Sequence, residues 1–232
     1  MHQIDEPNRW RLSTPGHSGW KRTARPDDPN KFFMVSADCH ANEPANLLVD
    51  RIDKKYRDRL PRVEVDADGV KWQISEGWAR SRLLDSNLQG EDQIRGKAGA
   101  SPEERLLDHD RDGVDAEIIF PNKGLTMWAT PDPLFAQAQC RIYNDWAAEA
   151  YGPYRDRLVP MAALATGDLE GSIEEVKRVG GVAVAVASDE VNRRGINAWK
   201  RNRLVQAGAD IVVPEYREQE QLVAWLFDKR LP

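Results

Sequence analysis

The sequence predicts an α/β fold built mainly from parallel strands, and three observations carry that prediction. From residue 116 to the C-terminus, short apolar runs alternate with helix-period segments, the pattern of strand–helix units around a parallel sheet. Cap chemistry marks one helix at both ends: Ser101 and Pro102 open it and Gly113 closes it. In 132–150, Phe135, Ala138, Ile142, Trp146 and Ala150 recur at spacings of three and four, which gives one apolar helical face.

In chain order, residues 1–31 read as an irregular arm. They hold Pro7, Pro15, Pro26 and Pro29 with Gly16 and Gly19, and show neither period. The apolar run 31–37, ended by small polar residues, predicts a buried strand. Leu47, Leu48 and Ile52 suggest a helix within 46–58. Val63, Val65, Val70, Trp72 and Ile74 predict a hairpin that turns at Asp66-Ala67-Asp68-Gly69, and the polar segment 80–100 reads as a loop or lid. A helix over 101–112 leads to a strand over 116–120, closed by Pro121. The helix 132–150, strand 158–165, helix 168–179 and strand 181–187 follow. Segments 197–207, 211–213 and 217–227 add two further alternations.

The 232 residues are enough for one sizeable core. A net charge of −5 leaves no basic footprint for nucleic acid. Trp199 beside Lys200, Arg201 and Arg203 is a single basic helix in an acidic chain. No apolar run reaches the length of a membrane span. The polar first 30 residues lack the apolar stretch of a secretory signal. Two cysteines, Cys39 and Cys140, make no disulfide framework, so a reducing cytoplasm is the expected compartment.

The local signal for chemistry is Asp38-Cys39-His40, at the end of the first apolar run. Residues two apart on an extended chain point to one side, so a carboxylate and an imidazole can reach a common divalent ion. Zinc and manganese both accept such ligands. The alternative from the residues alone is a strand-end Asp that caps the next segment beside an ordinary His. Cys39 points the other way and is expected to be packed. Ser172 and Ser188 have no nearby His to serve as a base, and Gly180-Gly181 lacks the Lys-Ser/Thr of a phosphate loop. No cofactor-binding residues beyond the metal pair are expected.

The wider context of that triplet resembles a known family. The segment Ser36-Ala37-Asp38-Cys39-His40-Ala41-Asn42-Glu43-Pro44 is similar to the D-x-H-x-x-E-P opening of amidohydrolase-related, metal-dependent hydrolases. This group includes nonoxidative decarboxylases of aromatic and muconate acids. Residues 105–117, from Arg105-Leu106-Leu107-Asp108 to Asp115-Ala116-Glu117, resemble its R-L-x-D-M-D-R-D-G-V-D-x-E segment. Tyr143-Asn144-Asp145-Trp146 and Arg157-Leu158-Val159-Pro160-Met161-Ala162 are similar to later parts. The resemblance covers about 33–179. It implies a distorted TIM barrel with a metal at its C-terminal mouth, Asp38 and His40 as the first two metal ligands, and a lid over 60–101. The family's later His ligand has no counterpart, because His2, His17, His40 and His109 are the chain's four histidines. His109 stands where the family has Met and is expected to be a surface or packed residue.

A full barrel needs eight strand–helix units, and too little chain follows residue 179 to supply them. The expected architecture is therefore a partial TIM-barrel-like (β/α) layer, incomplete or open. Residues 180–232 resemble the C-terminal tail of haloacid-dehalogenase-type phosphatases, without that family's upstream catalytic half. Asp189 and Glu190 are expected to cap a helix start rather than bind metal. The implied division is an arm over 1–31, an amidohydrolase-like partial barrel over 32–179 and a tail over 180–232. Three functional readings stay open. The chain is a metal-dependent hydrolase or nonoxidative decarboxylase acting on a small organic molecule, an inactive truncated or fused relic lacking the later ligands, or a phosphatase-like module. Open strand edges would make a second copy of the chain a partner; no nucleic-acid or membrane partner is expected.

Overall fold

The structure, a computed structural model, describes residues 34–84, 101–217 and 219–228, with Asp27, Gln89 and Gly90. Apart from Asp27, the arm expected over 1–31 lies outside the described residues, as do 85–88 and 91–100 of the lid segment. The chain divides into two compact units, Met1–Ala163 and Leu164–Pro232.

In the first unit, three parallel strands stand in the order β1-β5-β6: β1 Val35–His40, β5 Ala116–Phe120 and β6 Leu158–Pro160. Strand β5 is central and pairs Val35 with Ala116 and Glu117 with Leu158. Its side chains alternate: Glu117 and Ile119 are buried, whereas Ala116, Ile118 and Phe120 are half-buried. Strand β1 runs through the Asp38-Cys39-His40 triplet, and none of its residues is buried, contrary to the buried strand expected from the apolar run, because β1 is an edge strand of the described sheet. Strand β6 ends at Pro160 rather than reaching residue 165. The sheet is a partial TIM-barrel-like layer, and no closed barrel forms among the described residues.

The helices form where cap chemistry places them. After the short helix α1 (Leu47–Arg51) comes α2 (Pro102–Asp112), with Pro102 in its first turn. Ser101 Oγ accepts from Glu104 N, and Gly113 ends the helix at φ 82°, a left-handed conformation that glycine adopts without a Cβ penalty. Helix α3 (Pro133–Tyr151) starts on Asp132, whose carboxylate accepts from Leu134 N and Phe135 N. Its buried seam runs through Ala136, Cys140, Tyr143, Ala147 and Tyr151, beside the stripe that periodicity suggested. The reason is that α3 serves two layers. Phe135, with Ala138 and Ile142 alongside, packs a second cluster with Ile52, Leu60, Leu48 and Tyr56. The expected helix over 46–58 breaks at Ile52 and Asp53 into α1 and a 3₁₀ segment, Lys54–Arg59.

Between β1 and α2 lies an antiparallel sheet of β2 (Arg62–Val65), β3 (Lys71–Ile74) and β4 (Ser81–Arg82). The expected turn is held by Asp66, which accepts from Asp68 N, Val70 N and Trp72 Nε1. The short β4 fell in a stretch expected to be loop. Arg59 ties the base of this hairpin to α3, bonding Glu76 and the cap carboxylate of Asp132. At Gly77 (φ 77°) a Cβ would lie 1.8 Å from Ala129 O, so only glycine allows this close crossing.

In the second unit, α4 (Leu169–Arg178) is capped by Asp168, and α5 (Ala198–Gln206) by Asn197. Strands β7 (Val184–Val186) and β8 (Ile211–Val213) pair in parallel as expected, but they form a two-stranded sheet of their own rather than continuing the sheet of β1, β5 and β6, and α6 is Gln219–Asp228. Asp189 does not cap a helix; it closes a turn by accepting from Val191 N and Asn192 N, while Glu190 pairs with Lys200. Among the described residues no helix is long and apolar enough to cross a membrane.

Helix α3 and the segment after β6 are joined by buried Asn144. Its amide donates to Ala163 O at 3.0 Å and accepts from Ala163 N at 2.7 Å. Asn144→Ala leaves both backbone groups buried without that partner, so denaturant unfolding is expected to show a loss of about 2–3 kcal/mol. An unchanged midpoint would show that this strap contributes nothing.

Candidate metal-binding edge

Asp38 and His40 lie at the C-terminal end of β1, and their side chains converge. His40 Nε2 stands 3.8 Å from Asp38 Oδ1. A register shift between Ser36 and Cys39 places an extra residue in β1 opposite β5, and such bulges re-aim side chains at sheet edges. The Asp38 side chain is 88% exposed and that of His40 41%, so the pair opens to solvent and its mutual attraction is weak.

His40 is nevertheless held at two points. Its ring Nδ1 lies 2.9 Å from Pro121 O, and its own carbonyl accepts from Arg105 Nη2 at 2.7 Å. A carbonyl oxygen only accepts, so Nδ1 carries the proton, and the lone pair of neutral His40 lies on Nε2, the nitrogen facing Asp38. A backbone carbonyl that holds the far ring nitrogen of an imidazole in this way is a common partner of metal-binding His. Ligand distances of about 2 Å put two donors of one ion roughly 3–4 Å apart. The donor atoms of Asp38 and His40 therefore fit two positions of one divalent ion. Among the described residues, no group of three or more His, Cys, Asp or Glu side chains is placed to hold a metal.

On the other face of β1, Cys39 Sγ lies 2.9 Å from Ser36 Oγ. Burial pushes its thiol up from the usual range, with a contribution from the bond to Glu117. Glu117 itself is 2% exposed, with Arg105 Nη1 at 2.5 Å and His109 Nε2 at 2.9 Å. Burial alone would raise its carboxyl; bonds from His109 and Cys39 and the charge of Arg105 outweigh burial and hold it below the ordinary value. His109 is thus a packed residue serving a buried carboxylate.

Beyond β1, Glu43 turns inward and is 3% exposed. Its carboxylate accepts from the backbone N–H groups of Asn122, Lys123 and Gly124, closing the loop after β5. Sequence reasoning did not single out Glu43, Arg105 or Glu117 as individuals, although all three lie within the motif segments. Lys123 and Tyr143, which line a cleft beside α1, were also not singled out as site residues.

No protein-family profile and no curated protein sequence matches the chain. Solved structures do. An amidohydrolase of Mycobacterium avium subsp. paratuberculosis K-10 aligns with a TM-score of 0.53 at 15% identity, covering 84% of this chain and 62% of that one. A 2,6-dihydroxybenzoate decarboxylase from Rhizobium gives a TM-score of 0.37 at 20% identity over 75% of this chain and 46% of the other. A dihydroxybenzoic acid decarboxylase from Polaromonas sp. JS666, with bound manganese and 2-nitroresorcinol, gives 0.37 at 20% identity over 84% and 54%. The first likeness shows a shared fold. This chain spans less than two thirds of that amidohydrolase's length.

Because Glu117 titrates below its unfolded-state value, it contributes stability that is full above the ordinary carboxylate value of 4.5 and is lost as pH falls through the lower folded value. Glu117→Gln is expected to cost about 3 kcal/mol at pH 7 and to flatten the acid limb of the stability curve. Urea melts from pH 7 to 3 would measure both; an unchanged acid slope would remove Glu117 as the group responsible.

Proposed function

We propose that this chain is a metal-dependent hydrolase or nonoxidative decarboxylase of the amidohydrolase superfamily, acting on a small organic substrate. The observation that carries the proposal is the convergence of His40 Nε2 and Asp38 Oδ1 at the open end of β1, with the His40 ring oriented by Pro121 O. The motif resemblance around these residues and the fold shared with an amidohydrolase support it. In this reading Asp38 and His40 hold a divalent ion, zinc or manganese. When bound, such an ion would activate water or polarise a substrate carboxylate. The chain's own contribution is to keep the His40 lone pair facing Asp38, through Pro121 at the ring and Arg105 at the backbone. The segment 60–101 acts as a lid, and 180–232 is a haloacid-dehalogenase-like tail.

One observation favours a second reading, an inactive relic. Asp38 and His40 supply two donors, and no third His, Cys, Asp or Glu joins them among the described residues, whereas stable zinc sites use three or four protein ligands.

Calorimetric titration with zinc and manganese, repeated with His40→Ala and Asp38→Asn, tests the assignment. Binding that is weak, lost on dialysis and abolished in both variants is expected from a two-residue site. Tight stoichiometric metal that survives in His40→Ala would place the ligands elsewhere. Metal-dependent turnover of carboxylate or amide substrates by the parent, absent in both variants, would separate the enzyme from the relic.

A further inference from the structure

A second site lies in the first unit, in a cleft of about 760 Å³, within the range of roughly 300–1,000 Å³ typical of small-molecule pockets. Leu47, Leu60, Val63, Leu83 and Met127 give it apolar walls. Neither Asp38 nor His40 lines it. One polar group there is left without a hydrogen-bond partner by the fold. Tyr143 is 1% exposed and lines the cleft, yet its hydroxyl has no hydrogen-bond partner. A buried hydroxyl without a partner is costly. Burial, and then the nearby charge of Glu43, push the phenol up from its usual range, so at neutral pH the group is a hydrogen-bond donor.

The charges around the cleft choose the ligand's sign. Lys123 uses one of its three donors on Glu43 O, which leaves capacity for a ligand. Arg57 and Arg62 add positive charge, with Asp58 opposing and Arg62 partly satisfied by Glu64. Glu43 also lines the cleft, but its carboxylate already accepts three backbone N–H groups, so it offers little to a cation.

We propose that this cleft binds a small organic anion, its apolar body between the leucines and Met127 and its carboxylate or sulfonate accepting from the Tyr143 hydroxyl and Lys123. The assignment does not depend on the metal reading, because it uses neither Asp38 nor His40.

The test uses two fluorescent probes on the full chain without added metal. The first, 1-anilinonaphthalene-8-sulfonate, carries an anionic group; the second, N-phenyl-1-naphthylamine, has the same apolar body without it. Tyr143→Phe and Lys123→Met are each expected to weaken the sulfonate about tenfold and to change the neutral probe less than about twofold. Val63→Trp, at an exposed strand position that lines the cleft, is expected to weaken both. Without probe, Tyr143→Phe is expected to melt at or above the parent temperature, because it removes a buried unpaired hydroxyl. Unchanged sulfonate affinity in Tyr143→Phe and Lys123→Met would overturn the proposal, as would unchanged binding of both probes in Val63→Trp. Equal loss of both probes with a lowered melting temperature in Tyr143→Phe would show that the hydroxyl is structural, and would also overturn it. His40→Ala distinguishes the two sites: it is expected to lose metal and keep the sulfonate.

Discussion

A buried carboxylate organises the described part of the first unit. Glu117 sits on the central strand of a parallel sheet, on the face that the helices cover, where an unpaired charge would cost several kcal/mol. Besides Cys39 on β1, its partners come from helix α2: Arg105 from the first turns and His109 one turn later, four residues on and therefore on the same face. Satisfying Glu117 thus fixes how α2 lies along β1 and β5. Arg105 also bonds the carbonyl of His40, so the residue that neutralises the core charge holds the end of the strand carrying the candidate metal ligands. Stability and site geometry share one guanidinium.

The same economy appears at Glu43. A carboxylate three residues after His40 spends its acceptors on three N–H groups of the loop after β5. That loop begins with Pro121, whose carbonyl orients the His40 ring. The exposed ends of β1 and β5 are therefore tied by a buried acid, while Asp38 and His40 themselves remain open to solvent.

Much of this was legible in the sequence wherever one local interaction decides the outcome. Ser101, Pro102 and Gly113 bound α2 because the cap chemistry acts within a few residues. The Asp66 turn and the strand 116–120 are equally local. The two-residue spacing anticipated the Asp38–His40 convergence, whereas the register shift beside it, between Ser36 and Cys39, depends on the pairing with β5. The features that escaped depend on long-range partners. Periodicity found an apolar stripe on α3 but could not tell that the helix faces two layers, so the seam through Cys140 and Tyr143 lay beside the expected one. Nor could it show that the helix expected over 46–58 would break to pack Tyr56 and Leu60 against Phe135.

By itself, the sequence determined the alternation of strands and helices, the caps and turns, and the pairing of a carboxylate with an imidazole at a strand end, because each rests on backbone geometry over a few residues. Tertiary structure alone decided that Glu117, Arg105 and His109 form one buried charge network, that Glu43 faces inward rather than toward Asp38, and that the buried Tyr143 hydroxyl, on a residue beside the cleft, has no hydrogen-bond partner. Those outcomes depend on which distant groups meet in a medium that excludes water. There the cost of an unpartnered charge or hydroxyl sets the arrangement, and no local pattern records it.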